Sequence, residues 1–198
     1  MKYGLFVTSG LALALFSGCA LKTDEITLQY KPQENIKPLA EAKNVTVGLN
    51  FIDSRQDKSK VGVKKNGYGM EMAPIVNTED VSGLVKKAVE EELANRGFRL
   101  DKDGIVQISA DMTRFYNDFK LGFTSGDSIA DFYMNITVKS KTGSVIYVKQ
   151  IMTQGKEPGI MIMSGDNAKL ALDRALASGI KSLFDDEAFV SALVTAKK

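Results

Sequence analysis

Cys19 is the only cysteine in the 198-residue chain, and histidine and tryptophan are absent. These counts decide which chemistries remain. With no histidine and no second thiol, Ser-His-Asp and Cys-His catalysis, His-ligated zinc, Cys-ligated iron–sulfur clusters and haem held by either residue are excluded. Any reaction would have to rest on carboxylates, lysine, tyrosine or hydroxyls. Asp111 and Asp131 come nearest, because two facing carboxylates are the minimum for glycoside hydrolysis. Both sit opposite the apolar positions of their strands, so they are expected on an open sheet face with no cleft to raise either pKa. Asp185, Asp186 and Glu187 read as an acidic helix cap, since no second ligand set accompanies them. The chain is therefore expected to have no catalytic residue, no metal site and no cofactor.

Binding is the better use of what is present. Asp53 and Arg55 leave a strand end two residues apart and start on the same face. The favoured reading is an ion pair or Asx turn that fixes the chain's exit; the alternative is a grip on a partner group. Lys58, Lys60, Lys64 and Lys65 follow. Such a cluster either serves solubility and edge protection or gives salt-sensitive attraction to an anionic envelope polymer. Ile160, Met161, Ile162 and Met163 form an apolar patch in a loop with Pro158 and Gly159, which either tucks under the sheet or meets another surface.

The setting of Cys19 supplies the chemistry that the rest of the chain lacks. Lys2 precedes an apolar run, Leu5 to Phe16, which ends in Phe16-Ser17-Gly18-Cys19. A positive start, a short apolar stretch and small residues before a cut describe an export signal. The tetrapeptide resembles the lipobox of bacterial lipoproteins, whose cysteine is lipidated on sulfur, becomes the new N-terminus and is then N-acylated. Ala12-Leu13-Ala14 also has the form of an ordinary signal-peptidase site, which would leave Cys19 as a free thiol. The run is too short for a membrane span, which needs about 20 apolar residues. Ala20 and Leu21 lack the aspartate that resembles an inner-membrane retention signal in enteric bacteria, so outer-membrane attachment facing the periplasm is expected.

Residues 1–18 thus read as a lipoprotein signal peptide, 19–43 as a lipidated terminus and extended tether in which Glu25–Tyr30 alternates enough to be a strand, and 44–198 as one domain. Removing the signal leaves 180 residues and a formal balance of +1, which does not suggest a nucleic-acid binder. With no internal disulfide, the domain must stand on its hydrophobic core.

Elements follow from periodicity. Val45, Val47, Leu49 and Phe51 alternate as a half-buried strand. Asn66-Gly67 between alternating runs marks a hairpin, expected to protrude as a basic insertion over 53–75. Val81, Leu84, Val85, Ala88, Val89 and Leu93 form a helical stripe, capped by Asn77 or Thr78 and closed by Gly97. Three strands then run through Val106–Met112, Ala130–Val138 and Val145–Val148, with 116–127 as a long link and 154–165 as a loop. Asp166 or Asn167 is expected to cap a helix carrying Leu172, Ala175, Leu176, Gly179, Ile180 and Leu183, and a short helix over Glu187–Val194 ends the chain. The sum is an α+β fold, β-α-β-β-β-α, with an antiparallel sheet of about four strands and two helices on one face.

On these features the chain resembles the YajG family of bacterial lipoproteins. The resemblance covers the signal and lipobox, the strand ending in Asp53-Ser54-Arg55, the basic segment through Ile75, the Val81–Phe98 helix, the strand turn at Thr142-Gly143 and the C-terminal helix. The element order is also similar to that of envelope lipoproteins that assemble around larger machines, such as those of curli and Pel-polysaccharide secretion. The resemblance implies a periplasm-facing lipoprotein with no catalytic residues to carry over. The expected role is a non-enzymatic adaptor or structural accessory, with a membrane held through Cys19 and an envelope protein or anionic polymer as partner. A glycan- or lipid-binding module is the alternative, and would need an apolar cleft between helix layer and sheet, rimmed by Tyr68, Tyr133 or Tyr147.

Overall fold

The computed structural model describes residues 22–122 and 124–196; the leader and Cys19 lie outside the described residues. Strand β1 (Asp24–Ile26) is followed by a 3-10 turn (Ala40–Asn44), β2 (Thr46–Asp53), β3 (Gly62–Lys65) and β4 (Glu71–Asn77). Helix α1 (Val81–Asn95) leads to β5 (Arg99–Leu100) and three long strands, β6 (Val106–Leu121), β7 (Gly126–Ser140) and β8 (Val145–Ile160). Helices α2 (Gly165–Phe184) and α3 (Glu187–Thr195) close the chain.

The α+β class is as expected, but the sheet is larger and mixed. Among the described residues it has eight strands and three α-helices, against about four strands and two helices expected. β6, β7 and β8 form an antiparallel meander, with β8 on one edge. The other side of β6 takes two strands end to end: β2, in parallel register from Val47↔Val106 to Asp53↔Met112, and β3, which rejoins at Gly62↔Asn117. The Asn66-Gly67 hairpin forms, with Asn66 Oδ1 accepting from the Tyr68 and Met70 amides. It does not protrude as an insertion, because β4 pairs on its far side with β1.

One sheet face is the core. Val106, Ile108, Ala110 and Met112 of β6 and Ala130, Phe132, Met134, Ile136 and Val138 of β7 are fully buried beneath the helices. A bulge between Met112 and Arg114 resets the alternation and brings Phe115 inward, edge-on to Phe132 at 5.5 Å. Helix α2 lies over β7 and β8 through small residues. A Cβ on Gly155 of β8 would stand 2.0 Å from the Ala171 carbonyl oxygen, so only glycine lets this helix come so close.

Caps and boundaries differ in detail. Asp80 caps α1 by accepting from the Ser82 and Gly83 amides, in place of Asn77 or Thr78. Ser164 caps α2, in place of Asp166 or Asn167. The 116–127 link shrinks to residues 122–125, because β6 continues to Leu121 and β7 starts at Gly126. The expected 154–165 loop is instead β8 as far as Ile160. Pro158 is tolerated because β8 is an edge strand with one side unpaired.

The largest correction concerns the tether. From Asp24 onward this segment is part of the domain: Ile26, Leu28 and Ala42 are buried in the common core.

Candidate functional site

Between Asp53 and Gly62 the chain leaves the sheet, and the β6 bulge lies opposite the gap. The result is a cleft of about 440 Å³ on the side of the sheet away from the helices. Arg55, Asp57, Lys60 and Glu71 line it from the loop and hairpin, and Arg114, Tyr116 and Tyr133 from the sheet. Arg114 spans its floor. Its guanidinium lies 5.7 Å from the Tyr116 ring centre and 6.0 Å from that of Tyr133, while Nε donates to Asp131 Oδ2 at 2.8 Å. Gln154 Nε2 donates to the other oxygen, Oδ1, at 2.8 Å.

Asp53 and Arg55 meet as the favoured reading expected. Arg55 Nε donates to Asp53 Oδ1 at 3.0 Å and Nη2 to Oδ2 at 2.9 Å, and the Arg55 amide closes an Asx turn on Oδ1 at 3.1 Å. Burial pushes the Asp53 carboxyl up, but the hydrogen bonds and charge of Arg55 outweigh it and hold the group below the usual carboxylate range. Arg55 is 7 % exposed, and its third nitrogen, Nη1, is buried without a hydrogen-bond partner.

The four lysines are not brought together as a basic patch. Lys64 is buried and donates to Asp24 Oδ1 at 2.8 Å and to the Lys22 carbonyl at 2.6 Å. Lys65 pairs with Asp118 at 2.7 Å, and that hydrogen bond raises its pKa. Lys60 sits 3.2 Å from Glu71, whose hydrogen bond raises it likewise. Lys58 remains exposed at the loop. The neutralising carboxylates lie on β1, β4 and β6, so the sheet itself cancels the charge that the sequence displays.

The apolar 160–163 patch divides. Ile160 ends β8 and is buried, Met163 is half-buried with its sulfur 3.3 Å from the Lys65 amide, and Met161 and Ile162 stand in solvent. Asp111 and Asp131 both lie on the open face but never meet. Asp111 is opposite Asn135, four residues along β7 from Asp131, and Asp131 is engaged by Arg114 and Gln154. The carboxylate pair needed for hydrolysis is not formed. Among the described residues there is also no cluster of three or more acidic, histidine or cysteine side chains placed to hold a metal. Asp186 does serve as a cap, for α3, accepting from the Ala188 amide.

One site escaped the sequence reading. Glu92 lies on the buried stripe of α1 and is fully buried. It forms an ion pair with Arg96, and its Oε1 accepts from the Tyr30 hydroxyl at 2.8 Å and the Gln33 amide at 2.7 Å. Arg96 stacks 4.4 Å from the Phe184 ring centre. Burial, then the neighbouring Glu92 carboxylate, push the Tyr30 phenol well above its ordinary range. The available signal was a Glu at a core position of an apolar stripe with an Arg four residues on. This network is structural: it clamps the 24–44 segment to α1.

Residues 32–193 match the family model Lipoprotein_16, described as "Uncharacterized lipoprotein". The chain belongs to this lipoprotein family. No curated protein matches the sequence. Protein XCC0632 of Xanthomonas campestris is similar in structure, with a TM-score of 0.56 at 11% identity over 89% of this chain and 97% of that one. A second solved protein, described only as uncharacterized, gives a TM-score of 0.50 at 9% identity over 83% of this chain and 99% of its own. At such identities the likeness is one of fold alone. Among the described residues, no helix of this lipoprotein is long and apolar enough to cross a membrane.

Proposed function

We propose that this family member is an envelope lipoprotein of the YajG type, triacylated at Cys19 on the periplasmic side of the outer membrane. Its domain acts there as a non-enzymatic adaptor. Membership of a lipoprotein family supports the anchor. Two or more acyl chains, each contributing about 0.8 kcal/mol per buried methylene, give stable attachment.

The observation that carries the adaptor reading is the uncovered sheet face. All three helices lie on the opposite face, which leaves Met152 beside Tyr133 and Val148 beside Thr137 open to solvent, next to the Arg55–Tyr133 cleft. A face of mixed apolar, aromatic and paired-charge side chains suits a protein partner. The glycan- or lipid-binding alternative called for a cleft between helices and sheet; the cleft lies on the other face instead, where Tyr116 and Tyr133 still offer ring faces to a ligand. Tyr68 and Tyr147 do not contribute to it: Tyr68 is on the hairpin tip and Tyr147 packs against Phe189.

A photocrosslinker at Met152 in intact cells tests the adaptor, with the same group at Lys87 on the wet face of α1 as comparison. One discrete adduct from Met152, weakened by Tyr133→Ala and absent from Lys87, is expected. Equal labelling at both positions would overturn it. For the anchor, Cys19→Ser should abolish incorporation of labelled palmitate and membrane sedimentation; retention of both would sink the placement.

A further inference from the structure

Five exposed apolar side chains gather at one end of the sheet, from three separate loops. Tyr68 is 92% and Met70 58% exposed at the β3–β4 turn, Leu121 is 56% exposed where β6 ends, and Met161 and Ile162 are 81% and 69% exposed after β8. The register brings them together. β3 runs parallel to the end of β6, so its turn projects beyond Leu121, and Gly126 beside Leu121 pairs with Ile160. The Lys65 amide against the Met163 sulfur joins the hairpin to the 161–164 loop. Isolated exposed apolar residues are ordinary, but a cluster drawn from several loop tips marks a contact surface.

The N-terminal segment leaves the domain at this same end. Lys22 receives the Lys64 ammonium on its carbonyl, and Asp24 holds both Lys64 Nζ and the Gly165 amide at the start of α2. Cys19 is three residues before Lys22, a reach of at most about 10 Å. A lipid attached there cannot enter a bilayer without bringing this end of the sheet to the lipid surface.

We propose that these tips form a membrane-docking surface that seats the domain end-on against the phospholipid bilayer, with Tyr68, Met70, Leu121, Met161 and Ile162 in the headgroup region. The proposal rests on acylation of Cys19. Charge contributes little to it, since at this end Lys64 pairs with Asp24, Lys65 with Asp118 and Lys156 with Asp127. Docking is therefore driven by apolar area and is insensitive to salt. The opposite end, at the Ser140–Ser144 turn, stands off by the length of β7, fifteen residues or about 50 Å.

The chain has no tryptophan, so a single introduced one is an unambiguous probe. The lipidated full chain carrying Ile162→Trp, Tyr68→Trp or Thr142→Trp is reconstituted into vesicles of phosphatidylethanolamine and phosphatidylglycerol containing brominated phosphatidylcholine. The proposal expects at least twofold bromine quenching for Ile162→Trp and Tyr68→Trp, none for Thr142→Trp, and the same pattern at high salt. Adding Met161→Asp and Ile162→Asp to Tyr68→Trp should cut its quenching while flotation with the vesicles persists. Vesicles that carry the protein but leave Ile162→Trp and Tyr68→Trp unquenched, or quench all three positions alike, overturn the docking and leave the anchor standing. Failure to float overturns the anchor and the docking with it.

Discussion

Two arginine–carboxylate pairs with little exposure pin chain segments in this fold, and only one could be read from spacing. Asp53 and Arg55 stand out because both are charged and flank a strand end. Glu92 was hidden by its helix, where Lys86, Lys87, Glu90 and Glu91 make the wet face look continuous. Helical geometry alone places position 92 beside Val85, Ala88 and Val89, so a charge there had to find partners from elsewhere. Those partners, Tyr30 and Gln33, sit about sixty residues away, at the end of the Glu25–Tyr30 alternation and just beyond it, and no local pattern links them to α1. Glu92→Ala leaves Arg96 buried and unpaired and should lower unfolding free energy by about 3–5 kcal/mol, measured by urea titration. Arg55→Ala strands Asp53 in the same way and should cost several times more than the roughly 0–1 kcal/mol of an exposed pair. A loss under about 1 kcal/mol in either variant would mean that the pair is not buried in solution.

Elements with strong periodicity, α1 and part of each of the three long strands, were legible in the chain, but not how far β6 and β8 extend. Their neighbours were not, because lateral docking leaves no periodic trace. β3 shows how this works: Lys64 and Lys65 read as solvated, yet β3 is an interior strand between β4 and β6, and its lysines meet Asp24 of β1 and Asp118 of β6. Helix α3 carries the pH dependence at this scale. Its cap, Asp186, is held down to about 2 by the hydrogen bond and charge of Lys149, with help from the Tyr147 hydroxyl and the Ala188 amide. A carboxyl depressed in the fold stabilises above its unfolded pKa, about 3.9, and loses that contribution as pH falls through the folded value. The stability gap between wild type and Asp186→Asn should therefore be full at pH 5 and shrink steadily towards pH 2. A gap that stays constant over that range would show that Asp186 does not titrate as the cap requires. Gly155→Val, by contrast, should unfold the α2–β8 contact at any pH, since even a Cβ meets backbone there.

At the scale of the molecule, the segment read as a tether changes what the protein is. A spacer would separate the folded domain from Cys19 by more than twenty residues; a segment sewn into the sheet holds it within three, at Lys22. Charge and proline content suggested the spacer, but Ile26, Leu28 and Ala42 fill core positions, and β1 covers the outer edge of β4. The difference is measurable. Burying Ile26 and Leu28 stabilises by about 1.5–3 kcal/mol each, and removing Tyr30 and Gln33 strips Glu92 of two partners. Against a typical total of about 5–15 kcal/mol, a chain starting at Val45 should be largely unfolded at 25 °C. A chain starting at Ala20 should unfold cooperatively in urea, with circular dichroism as the readout. Equal midpoints for the two would restore the spacer reading and detach the domain from the membrane end. Unequal midpoints leave a rigid body, and the proposed anchor at Cys19 would then hold its open face at a height set by the sheet itself.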